Sequence, residues 1–109
     1  MSKYEVIITQ KAKNIIKEII QYISIQLHNE FAAQNLADLF KEKILGLDLF
    51  PKSSPLVDEE PWKQKGVRKK MVKMFVVYYF VDDVNKQVNV LWVAYAKMNQ
   101  IEELKKLEN

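Results

Sequence analysis

The sequence has no cysteine, which excludes disulfides, thiolate nucleophiles and thiolate-bound zinc and fits a reducing compartment. Its single histidine, His28, has no second imidazole and no His-Glu-x-x-His pattern around it, so no metal site is expected. The two glycines, Gly46 and Gly66, stand alone and build no phosphate-cradling loop, so no nucleotide cofactor is expected. No apolar run approaches the roughly 18 residues that a membrane helix needs. The opening residues Met1-Ser2-Lys3-Tyr4-Glu5 also lack an apolar signal region. The expectation is a cytoplasmic protein with no membrane partner.

What remains is the composition of an ordered domain: 49% hydrophobic and 28% charged residues in a chain of 109. That length supports one core, so residues 1–109 are read as a single domain. The net charge of +3 is mild, but its distribution is uneven. Lys63, Lys65, Arg68, Lys69, Lys70 and Lys73 follow one another without an acid, directly after Asp58, Glu59 and Glu60.

Residues 3 to 9 are rich in β-branched and aromatic types and end at Thr9, a good helix N-cap, which predicts a short strand and then a helix. Ala12, Ile15, Ile16, Ile19, Ile20, Ile23 and Leu27 keep helical spacing, with Lys11, Lys13, Lys17, Glu18 and Gln21 on the other side. His28-Asn29 breaks the pattern. It resumes at Ala33, Leu36, Ala37, Phe40, Ile44 and Leu47, with Glu30, Asp38, Lys41 and Glu42 outward, so two helices form a hairpin.

Residues 48 to 65 hold all three prolines and read as an irregular connection. From 67 to 95, Val, Met, Phe, Tyr, Leu and Trp dominate, with breaks at Lys73-Met74 and 83–86, which predicts three strands in a meander. The unbroken apolar run 75–81 marks a strand buried on both faces. Asn99-Gln100-Ile101-Glu102 has capping-box spacing and opens a short terminal helix carrying Leu104 and Leu107. The expected class is α+β, in the order βααβββα. A helical hairpin packs on an antiparallel or mixed sheet of about four strands.

On a strand, Arg68, Lys70 and Val72 face one way and Val67, Lys69, Met71 and Lys73 the other. Such cations can hold phosphates and stabilise a phosphoryl transition state, and a nearby tyrosine or lysine can move the proton. The alternative is an edge strand protected from aggregation by its lysines. Tyr78, Tyr79, Phe80, Trp92 and Tyr95 sit in apolar strands, where core packing explains them better than base stacking. Asp82-Asp83 and Glu102-Glu103 fit a turn and a helix start.

These elements and several local strings resemble the ParE/RelE superfamily of plasmid-stabilisation toxins across essentially the whole chain. The strings are Tyr4-x-Val6-x-Ile8-Thr9-x-x-Ala12, Ile19-Ile20-x-Tyr22-Ile23-Ser24, Ala32-Ala33-x-x-Leu36, Leu47-x-x-Phe50-Pro51 and Gly66-Val67-Arg68-Lys69. Two more follow them in order: Val72-Lys73-x-Phe75-x-Val77-x-Tyr79-x-Val81 and Val90-Leu91-x-Val93-x-Tyr95-x-Lys97-x-Asn99.

The resemblance implies the growth-arresting half of a type II toxin–antitoxin pair. The expected partners are a cognate antitoxin, in a hetero-oligomer, and operator DNA reached only through that antitoxin. RelE-like members cleave mRNA on the ribosome as endoribonucleases, whereas ParE-like members poison DNA gyrase without bond chemistry of their own. For RNA cleavage the residues implied are Arg68, Lys70, Tyr95 and Lys97. For target binding they are Arg68, Lys69, Lys70, Lys73, Lys97 and Asn99. The sequence departs from the RelE pattern at Val76 and Met98, where arginine is usual, and its last helix offers neither Tyr nor His. The long helices followed by Phe50-Pro51 resemble ParE-like members, which favours gyrase over the ribosome. A third reading is an attenuated toxin that acts in antitoxin binding and operon control.

Overall fold

Thr9 stops the first strand and starts the first helix: its extended backbone lets Oγ1 accept the Ala12 N–H at 3.2 Å, satisfying an otherwise orphaned donor. This is a computed structural model, and it describes residues 3–96. The strand β1 spans Glu5–Ile8 and α1 spans Gln10–Gln21, continuing through a π-helical turn, Tyr22–Gln26. His28, in the left-handed region at φ 49°, closes that turn. Asn29 then caps α2, Glu30–Leu45, by accepting the Ala32 N–H at 3.0 Å.

The strands β2 (Val67–Val72), β3 (Phe75–Asp82) and β4 (Gln87–Tyr95) form the expected meander, and β1 joins it parallel to β4. The sheet order is β1-β4-β3-β2, so the sheet is mixed, with β1 and β2 at its edges. The α+β class is as expected. The terminal helix expected from Asn99 lies outside the described residues.

The hairpin covers one face of the sheet. Leu36, Phe40 and Ile44 of α2 pack there with Ala12 of α1 against Val72, Val77, Tyr79, Val88, Val90 and Val93. α2 fills this core with fully buried side chains, whereas within α1 only Ala12 is fully buried and its isoleucines are half-covered. Residues 48–65, read from sequence only as an irregular connection, cover the second face. Val57 and Trp62 pack there on Val67, Val76, Tyr78 and Ala94. That burial accounts for a connection so long in a domain so small.

A bulge in β4 changes which of its residues serve which face. Tyr78 pairs with Trp92 and Tyr79 with Val90, which leaves Leu91 as the extra residue. Strict alternation would put Val90 and Trp92 on one face. Instead Val90 and Val93 both enter the helix-side core and Trp92 turns to the other side, with Lys11 Nζ 5.2 Å above its ring.

Asp83, in the β3–β4 turn, ties three segments together. It accepts from Lys52 Nζ at 2.8 Å and from Tyr4 Oη at 2.7 Å. These two hydrogen bonds, Lys52 first, hold its carboxyl below the ordinary aspartate value. A depressed folded-state pKa contributes stability that is present above the unfolded value and is lost as the pH falls through the folded value. Lys52→Met is therefore expected to move the Asp83 carboxyl titration upward, read by NMR, and to remove that acid-side dependence of stability. An unchanged Asp83 titration would show that the lysine contributes nothing there. The exposure of the pair keeps the effect small.

Candidate functional site

Register decides which way the cations of β2 point. Arg68 lies opposite Tyr79 and Lys70 opposite Val77, both core residues on the helix side, while Lys69 lies opposite Tyr78 on the second face. The alternation expected from sequence therefore holds. Arg68, however, is directed inward: Nη1 donates to the Ser54 carbonyl at 2.7 Å in a half-buried setting. Beside it Tyr79, fully buried, donates its hydroxyl to the Pro51 carbonyl at 2.7 Å. The backbone continues the attachment, Val57 N to Val67 O at 2.9 Å and Lys69 N to Pro55 O at 3.0 Å. The first consequence of Arg68 is thus to moor residues 51–57 along the β2 edge, a role the sequence did not disclose.

Lys70 is half-buried on the same face. Lys73 is exposed and holds φ 53° at the two-residue turn into β3. Among the described residues neither makes an ion pair. Lys73 and Tyr95 do come together: with Met74, Phe75, Glu18 and Tyr22 they line a groove of about 730 Å³ whose other wall is the half-covered stripe Ile15 and Ile19 of α1 and Ile23 of the π-helical turn. Tyr95 meets Phe75 edge-on at 5.9 Å, and Phe75 meets Phe40 at 5.7 Å, so an aromatic ladder runs from the rim into the core. Lys97 and Asn99 lie outside the described residues.

The described candidates therefore do not form one site: Lys69 faces the second side of the sheet and Lys70 is half-buried on the helix side. Arg68 moors the long connection, and Lys73 and Tyr95 occupy a groove at the other end of β2. Val76 is fully buried in the second-face core. Among the described residues no cluster of three or more His, Asp or Glu side chains can hold a metal ion, and no helix is long and apolar enough to cross a membrane.

The sequence model of the ParE toxin of the type II toxin–antitoxin system, parDE, matches residues 6–100. The chain belongs to the ParE toxin family. No curated protein matches it. Among solved structures, the chromosomal ParDE toxin–antitoxin system from P. aeruginosa is similar to this ParE-family chain with a TM-score of 0.70 and 17% identity, over 87% of this chain and 98% of that one. The RelBE2 toxin–antitoxin complex from Mycobacterium tuberculosis is similar with a TM-score of 0.62 and 18% identity, over 89% and 97%. At such identities the likeness is one of fold. Both structures share it, so the fold by itself does not tell them apart.

Proposed function

We propose that this ParE-family chain arrests growth by binding and poisoning DNA gyrase, is held inactive by a cognate antitoxin, and performs no bond chemistry of its own. The observation that carries this reading is the fate of Arg68. A ribonuclease of the RelE kind needs a guanidinium free to meet a phosphate in the transition state, close to a proton-transfer group. Here one N–H of the half-buried guanidinium is committed to Ser54, and Tyr95 stands at the far end of the strand. The missing β3 arginine points the same way, since its position is the buried Val76. The half-covered isoleucines of α1 favour an antitoxin segment lying along that helix.

The purified chain is expected to block gyrase supercoiling and to accumulate cleavage complexes, while transcripts stay intact after induction. Unaltered supercoiling at toxic concentrations overturns the reading. One feature favours the second reading, ribosome-dependent mRNA cleavage: Lys73 and Tyr95 share one groove. Primer extension showing cuts in translated messages, lost in Tyr95→Phe, would establish it.

A further inference from the structure

The outer edge of β1 is open. Glu5 and Thr9 donate their backbone N–H groups towards β4, to the Lys86 and Val90 carbonyls at 2.8 and 3.1 Å, so alternation turns the amides of Tyr4, Val6 and Ile8 the other way. On that side Tyr4 N donates to the Asp48 carbonyl at 2.9 Å, whereas among the described residues no backbone partner reaches Val6 or Ile8. The opposite edge of the sheet is treated differently: residues 55–57 close β2, which also carries Lys69 and Lys70. β1 has no such guard, neither proline nor bulge, and after Glu5 it offers only Val6, Ile7 and Ile8. We infer that this edge is a self-association surface, on which a second copy of the chain pairs antiparallel through its own β1 and joins the two four-stranded sheets into one. The inference stands apart from the gyrase and antitoxin readings and does not depend on them.

A second copy fits because a two-fold axis satisfies what the edge leaves open. Outward amides must meet outward amides, which admits Val6 against Val6 or Val6 against Ile8. The first register also sets Tyr4 against Ile8, but the Tyr4 N–H is already held by Asp48, so the second is selected. Val6 of each copy then exchanges backbone hydrogen bonds with Ile8 of the other, Ile7 meets its own counterpart, and Glu5 lies opposite Thr9. No like charges are opposed. The charges are also complementary. Thr9 caps α1, whose first turn holds Lys11 and Lys13 and no acid, although the helix dipole favours one there. The pairing brings Glu5, and Asp48 in line with Tyr4, to that end of the other copy's α1. The assembly closes on itself as well. It consumes both β1 edges and leaves as outermost strands the two copies of β2, each covered by its own residues 55–57, so the product is a dimer and not a filament.

The test uses the full chain alone, by sedimentation equilibrium and amide hydrogen exchange. A reversible dimer is expected, with a dissociation constant on the order of 10 μM, as suits an interface at the small end of the size range. Protection of the Val6 and Ile8 amides should rise with protein concentration. Ile7 is half-buried and belongs to neither core. Ile7→Lys should therefore keep the melting temperature nearly level while weakening the dimer at least ~10-fold, because two ammonium groups are set face to face. Ile7→Glu should act in the same way, and an equimolar mixture of the two variants should dimerise again, a rescue that a merely structural role of Ile7 does not produce. Phe31→Ser, at the exposed tip of the helical hairpin, should leave the dimer intact. A chain that stays monomeric up to about 0.5 mM overturns the inference. So does a dimer that persists in Ile7→Lys, or one that Phe31→Ser dissolves, which would move the contact to the hairpin tip. Val6 and Ile8 amides that gain protection only when the antitoxin is added overturn it in favour of a strand from that partner. The exchange measurement needs no variant, so it decides the matter even where a substitution prevents folding.

Discussion

Phe40→Ala is expected to lower the unfolding free energy by about 3–5 kcal/mol, a large share of the 5–15 kcal/mol typical of a domain. Phe40 is 1% exposed and stands where α2 meets the sheet, against Phe75 and through it Tyr95. Truncation removes the transfer energy of the ring and leaves a cavity that neighbours on a rigid sheet cannot fill. Phe40→Leu keeps most of the volume and should cost below about 2 kcal/mol. Urea unfolding with an unchanged slope checks both. A loss under about 1 kcal/mol for the alanine variant would mean that the hairpin does not pack on the sheet as described. Growth arrest should fall with the folded fraction.

The second large effect concerns the mooring of the long connection. Arg68→Ala removes a charged donor from the Ser54 carbonyl and should cost about 1.5–3 kcal/mol, while Tyr79→Phe strands the buried Pro51 carbonyl at about 1–3 kcal/mol. The carbonyls lie three residues apart on one segment, so the double variant should lose less than the sum, because the first loss already frees what the second would release. Limited proteolysis should open residues 51–57 in either variant. The outcome that defeats this account is Arg68→Ala with native stability and protection but no toxicity. The guanidinium would then be a contact to the target, and the ribonuclease reading would regain its missing group.

Much of the site was only half legible. Core packing holds for Tyr78 and Tyr79, which are fully buried, in part for Phe80 and Trp92, which are half-buried, and not for Tyr95, which is exposed. The alternation of Arg68 and Lys70 against Lys69 was also correct, because side-chain period on a strand is fixed by backbone geometry. What alternation cannot tell is whether a cation on a given face meets solvent or a carbonyl. Ser54 lies 14 residues from Arg68, across a connection with no period to read. Periodicity places the lysines of α1 and α2 simply on the outward faces. Nothing in the sequence put Lys41 across a groove from Lys13 and Lys17.

By itself the sequence determined the pieces: Thr9 as a helix start, the break at His28-Asn29, the apolar stripe of each helix, the strand 75–81 buried on both faces, and the breaks between strands. Each of these follows from residues within about four positions of one another, through hydrogen bonds and side-chain spacing that the backbone enforces locally. Tertiary structure alone decided that β1 runs parallel beside β4, that Leu91 is bulged out so that Trp92 changes face, that the proline-rich connection covers the sheet's second side, and that Arg68 is held by Ser54. Those outcomes depend on register and docking between segments far apart in the chain, which are set by how complete surfaces fit and not by any local period.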